Sequence, residues 1–409
     1  MFAQIDDLLQ RHELKKAEKL IARLLPQSAP LTQAQLYLYR ARTRLHGGRP
    51  ESAIEDLTRA RELDPGIADS PAALELYADA LFARFELATV VDRTDAAHAE
   101  ETYRRLIISH ADYGNLGWIY FQLARILLAS NRIEEASDLL ERALLVASEV
   151  PALTAYCYER LGFVSFYEMR DHARALNYLT RAIDTYPNSE DPSWLVQAHL
   201  LKCRILRETG DRLKALTDVD AAIKVASRTR NKTVLAEALL ARGELLAQLT
   251  GRDAEVIENL ERFLQVAHRP KGADVTFARV HEMLADAYVN NGHLEHAISA
   301  YHNVLHFNPN HPWETSIYHR LSRAYYLKGS YDKAVQAVKR ALKVAEENGE
   351  MTDYQLYDTF GNALFALGQY RDAADAYEQA LSLKPGNQEH VQKIQHYHQL
   401  SLHLLQQTL

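Results

Sequence analysis

The sequence predicts an all-α chain, a solenoid of stacked helical hairpins, and three observations carry that expectation. A spaced trio of small and large apolar residues recurs from one end to the other. Proline and glycine sit at the ends of the segments that the trio defines. No stretch alternates apolar and polar residues for long, so no sheet is expected.

The clearest segment runs from Tyr354 to Gly386. Tyr357, Phe360 and Leu364 share one face of a first helix, with Gly361 where a neighbouring helix must come close. A turn follows at Gly368-Gln369. In the second helix Ala373, Tyr377 and Ala380 fall on a single stripe, because 3.6 residues make a turn. Pro385-Gly386 ends it. Such a hairpin is too small to bury its apolar face alone and needs a copy beside it. Reading backwards, the second-helix stripe returns as Ala334/Val338/Ala341, Ala297/Tyr301/Val304, Val256/Leu260/Phe263, Ala215/Val219/Ala222, Ala175/Leu179/Ala182, Ala136/Leu140/Ala143, Ala99/Tyr103/Leu106, Ala53/Leu57/Ala60 and Ala17/Ile21/Leu24. Successive copies are 36 to 46 residues apart, about ten units in all.

This pattern resembles the tetratricopeptide repeat family, whose unit is about 34 residues long. The resemblance covers residues 1 to 388 and implies a right-handed α-solenoid. It also implies an inner wall of first helices on which an extended peptide or a partner's helix lies.

Taken in order, the array opens with a truncated unit, Phe2, Ile5, Leu8 and Leu9 followed by the Ala17 stripe. Ala34 to Gly66 follows the family pattern closely. The third unit carries an insertion near 84–98, where Phe82, Phe85, Leu87, Val90 and Val91 suggest a prolonged first helix and Asp92 to Asp95 a polar corner. A polar break lies near 188–195. The seventh unit has Val256 and Phe263 in place of small residues, so looser packing against the eighth is expected there. Residues 389–409 form a last helix whose Gln- and His-rich face suits a solubilising cap.

The 409 residues carry a formal net charge of −7, with acids and bases interspersed, which gives no electrostatic footprint for nucleic acid. The start, MFAQIDDLLQ, lacks the basic and apolar runs of a signal peptide. No stretch approaches the roughly 18 apolar residues of a membrane span. Cys157 and Cys203 form no pairing motif, and a cytoplasmic, reducing location follows as the default.

Chemical motifs are missing. His281-Glu282 opens a zinc-protease signature, but Ala285 stands where the second histidine would be needed. His302 and His306 are one turn apart without a third ligand, and they read as solvated surface histidines. Neither an enzyme, a metal nor a cofactor is expected.

The residue after each first-helix small site is rotated about 100° from the packing face and should line the inner wall. That position holds Arg42, Arg125, Phe163, Arg204, Glu244, Asp286, Arg323 and Asn362; one turn away lie Phe121, Glu159, Phe166, Arg207, Glu282, Tyr326 and Phe365. Arg125, Arg204 and Arg207, with Phe121, Phe163 and Phe166 between them, would hold an acidic and apolar peptide segment. The competing reading pairs Glu159 with Arg125 or Arg204 and leaves the aromatics as packing. Arg323 and Asn362 partly resemble the carboxylate clamp by which some family members grip chaperone tails, but Glu282 and Asp286 would repel a carboxylate. The expected function is a scaffold or adaptor for a protein partner; the alternative is a sensor of a short signalling peptide that changes superhelical pitch.

Overall fold

The computed structural model describes residues 1–88, 93–147, 150–186, 192–229 and 231–408. Among the described residues there are twenty-one α-helices and no strand. Two compact units divide the chain, Met1–Ile205 and Leu206–Leu409. Each is a stack of helical hairpins.

In the first unit α1 (Phe2–Gln10) pairs with α2 (Leu14–Leu24), α3 (Pro30–His46) with α4 (Pro50–Leu63), and α5 (Pro71–Leu87) with α6 (Thr94–Ser109). α7 (Leu116–Ala129) pairs with α8 (Ile133–Val146), and α9 (Pro151–Tyr167) with α10 (His172–Thr185); α11 (Ser193–Glu208) crosses the division. Proline occupies the first turn of α3, α4, α5 and α9, where its missing N–H would be unpaired anyway. Asp56, only 1% exposed, takes Arg40 at 2.6 Å and Arg44 at 3.0 Å, which ties α4 to α3. First helices touch along the stack, α3 with α5, α5 with α7 and α7 with α9.

The second unit comprises α12 (Arg212–Ala226), α13 (Lys232–Leu246), α14 (Asp253–Val266), α15 (Val275–Asn290), α16 (Leu294–Phe307), α17 (Glu314–Leu327), α18 (Tyr331–Asn348), α19 (Tyr354–Ala366), α20 (Tyr370–Ser382) and α21 (Gln388–Thr408). Carboxylate and amide side chains cap α12, α13, α15 and α19 through Asp211, Asn231, Asp274 and Asp353. The terminal helix α21 packs on α20, with Ile394 buried and the Tyr397 ring 5.6 Å from Phe365.

The stripes of the second helices are buried throughout, with only Leu24 of the first hairpin half-buried. They meet the small sites of the first helices. A Cβ built on Gly162 would lie 2.8 Å from Leu179, and one on Gly361 would lie 2.6 Å from the Tyr377 ring. The large Phe263 is accommodated by Phe277 at 5.7 Å, and Phe277 in turn meets Phe307 at 5.4 Å.

Two local expectations are revised. Thr94 and Asp95 belong to the first turn of α6 and not to a corner, because Asp95 accepts from Arg84 at 2.6 Å and an acid is favoured at a helix start. Ser193 already lies in α11. Val90, Val91 and Asp92, like Asn188 to Asp191 of the polar break, lie outside the described residues.

Gly361→Ala is expected to destabilise the second unit by about 1–3 kcal/mol, the usual cost of overpacking. The Tyr377 ring has no room to retreat, since it is fully buried and its hydroxyl is held by Asn362. Urea denaturation of the variant against the parent measures the loss, and an unchanged midpoint would contradict the close approach.

Candidate functional site

The first helices carry the residues expected to meet a partner, and their exposure differs from position to position. Positions one after the small site stand off the packing face. Positions three before or four after it lie only about 60° and 40° away at 100° per residue. In the first unit the packing takes in Phe121, Glu159 and Phe166, while Arg207, Glu282, Tyr326 and Phe365 at the same offsets in the second unit stay partly exposed. This corrects the expectation for Phe121, Glu159 and Phe166, which are 3%, 4% and 1% exposed. They belong to the interior and not to an open groove.

Around them the first unit builds an aromatic and basic block. Phe121 meets Trp118 at 5.9 Å and Tyr156 at 6.1 Å, and Tyr156 lies 4.4 Å from Trp194. Besides Arg40, which is held by Asp56 and lies 4.9 Å from the Tyr37 ring, four arginines of the first helices lie over aromatic rings. Arg42 is 5.9 Å from the Tyr39 ring, and Arg125 is 4.9 Å from Phe82. Arg160 stands 5.4 Å from Phe163 and 5.3 Å from Trp194. Arg204 is 5.3 Å from Tyr167 and 5.9 Å from Phe166, and donates to the Tyr167 hydroxyl at 2.6 Å. Such stacking fixes the plane of a guanidinium while leaving N–H groups at its rim.

The ion pairs differ from the expected ones. Glu159 takes its neighbour Arg160 at 2.5 Å, not Arg125 or Arg204, and burial pushes its carboxyl above the usual range. Arg125 pairs with Glu86 and donates to Gln122 at 2.8 Å. Arg160 escaped the sequence reading, although Trp118 and Tyr156 share a register six residues before their small sites and so marked an aromatic row.

In the second unit Arg207 pairs with Glu244 at 2.8 Å, and Glu244 also holds Arg279 at 3.0 Å. Arg323 is exposed. Tyr326 lies 5.6 Å from Tyr331, and Phe365 lies 5.5 Å from Tyr370. Glu282 and Asp286 are joined by Arg320, whose distance to Asp286 is 2.8 Å. Among the described residues no three His, Cys, Asp or Glu side chains gather as a metal site, and no helix is long and apolar enough to cross a membrane.

A second pattern ties the wall to the interior. Tyr301 donates its hydroxyl to Asp286 at 2.6 Å, Tyr377 donates to Asn362 at 2.9 Å, and Tyr103 donates to Asp79. In all three hairpins the acceptor is the residue right after the small site and the donor is the middle of the second-helix stripe. A buried phenol needs a partner, and this position is the one within reach. The sequence holds the signal: where the stripe carries Tyr, the residue after the small site is Asp or Asn, and elsewhere it is Arg, Phe or Glu.

Desolvation raises the Asp79 carboxyl to about 7, with the Tyr103 hydroxyl opposing the shift. A carboxyl whose folded-state pKa is raised holds its proton more tightly when folded, so its contribution to stability falls as pH climbs from about 4 to about 7. Asp79→Asn, which keeps an acceptor for Tyr103, should therefore flatten that fall. The gain at pH 8 should be on the order of 1 kcal/mol relative to the parent, read from thermal melts at pH 5 and pH 8.

Two tetratricopeptide repeat models match the chain at residues 2–66 and 115–188, and a tetratricopeptide repeat-like domain model matches residues 229–400. A fourth model, anaphase-promoting complex subunit 5, matches residues 160–248. Small glutamine-rich tetratricopeptide repeat-containing protein 2 of Mycosarcoma maydis is 32% identical over 92 residues, 22% of this chain and 24% of that protein. The chain thus spans about a quarter of the length of that curated relative. Among solved structures, a signal transduction ATPase with numerous domains and a tetratricopeptide repeat sensor, from Pyrococcus horikoshii, superposes with a TM-score of 0.52. The match is 16% identical over 88% of this chain and 54% of that one, a likeness of fold. Pseudomonas aeruginosa pilF superposes more loosely, TM-score 0.43 at 20% identity, over 57% of this chain and 91% of that one.

Proposed function

The chain belongs to the tetratricopeptide repeat family, and from that premise we propose that it is a non-enzymatic scaffold that holds an acidic and apolar segment of a protein partner. The segment lies on the first helices of the unit Met1–Ile205. What supports the reading is the set of four arginines, Arg42, Arg125, Arg160 and Arg204, each stacked on an aromatic ring. Stacked guanidiniums are already ordered, so capturing a carboxylate costs less side-chain entropy than it would at a free surface arginine. Existing partners such as Glu86 and the Tyr167 hydroxyl act as placeholders that an incoming carboxylate displaces. The match of residues 160–248 to a model named for a complex subunit fits an assembly role. A reducing, cytoplasmic setting is part of the same reading, with Cys157 and Cys203 both buried.

The test is affinity capture from native lysate with the parent chain and with Arg125→Ala/Arg204→Ala. Both side chains are partly exposed, and exposed ion pairs contribute only about 0–1 kcal/mol each. The double variant should keep its melting temperature within a few degrees and lose the captured protein. A variant that unfolds would make these arginines structural, and one that captures the same protein would remove them from the binding surface. A short peptide that alone changes the hydrodynamic radius of the parent would favour the sensor reading instead.

A further inference from the structure

Two clefts in the unit Leu206–Leu409 lie at equivalent places two hairpins apart and carry opposite charge. Each is bounded by the start of a first helix and by the loop leading into the next hairpin. The first, about 620 Å³, lies between the start of α13 and residues 265–269. It opens beside the seam where Phe263 replaces a small residue, and Phe263, Val266 and Leu240 line its floor. Its rim carries Lys232, His268 and Arg269, all exposed, none of them in an ion pair with a described residue. Glu237 is an acid on its wall.

The second cleft, about 500 Å³, lies between the start of α17 and residues 350–353. Its lips are Trp313, 68% exposed, and Met351, 98% exposed. Glu350 and Asp353 supply its charge, and Glu346 and Glu347 precede them in the sequence. One edge of the stack therefore presents a basic cleft with an apolar floor and, two hairpins on, an acidic cleft with two protruding apolar side chains.

We propose that the occupant is a second copy of this chain, set against the first with the two edges antiparallel about a two-fold axis. Met351 and Trp313 of each copy then seat over the apolar floor of the other, with Glu350 and Asp353 facing Lys232 and Arg269. A two-fold arrangement makes both contacts at once, as a self-complementary surface requires. Exposed apolar side chains rimmed by charge mark association surfaces, and opposed charges set the register.

The test is light scattering behind gel filtration over a concentration series, at low and high salt. The full chain should pass from one copy to two as concentration rises, and high salt should weaken the dimer. Lys232→Glu/Arg269→Glu leaves both clefts acidic, and Glu350→Lys/Asp353→Asn relieves or reverses the acidic one while keeping a cap for α19. Each variant alone should need at least about tenfold more protein to dimerise. An equimolar mixture of the two should dimerise again, since each acidic cleft then meets a basic one, and this recovery shows that both variants fold. A parent that stays a single copy at every concentration overturns the proposal. So does a dimer that neither variant weakens, or growth beyond two copies, which would mean head-to-tail stacking.

Discussion

Everything in this molecule rests on the close approach of a first helix to the stripe of the second. A single hairpin leaves apolar surface uncovered, so its two helices stay together only when the seam is tight and the next hairpin covers what remains. Leu179 against Gly162 and Tyr377 against Gly361 show how tight it is, with no space left for one added methyl. The arginines and acids of the wall have fixed places because the backbone beneath them does.

The fold was legible because this constraint writes itself into residue size. A small residue, a large apolar one, and a small or apolar one at helical spacing can be followed by eye across the chain, and apart from Leu24 every member of these trios is buried in the structure. The wall was less legible. Arg42, Arg125 and Arg204, one residue past their small sites, keep at least part of their side chains exposed. Steps of three or four residues return most of the way round the helix, and so Phe121, Glu159 and Phe166 were placed on the wall when they lie inside it. Ion pairing was not legible at all. That Glu159 chooses Arg160 over Arg125 depends on side-chain reach, which spacing along one strand of sequence does not encode.

The bond from a stripe tyrosine to the residue after the small site joins two positions that otherwise have separate tasks. At Leu, Val or Ile stripes the wall position can carry whatever a partner demands. Tyrosine removes that freedom, because its hydroxyl is buried and must be satisfied. Asp79, Asp286 and Asn362 are consequently each engaged by a stripe tyrosine, and the arginines at this position are confined to hairpins whose stripe is aliphatic. Charge along the wall is thus partly dictated from beneath it.

That dependence bears on how such an array can lengthen. A duplication copying a hairpin from the start of its first helix to the end of its second transmits donor and acceptor as a set. If the breakpoint falls in the turn between them, as between Asn362 and Tyr377, the new unit inherits a phenol from one ancestor and an unrelated neighbour from another. Growth by whole hairpins is then the tolerated route, and the tyrosine-bearing units act as indivisible building blocks.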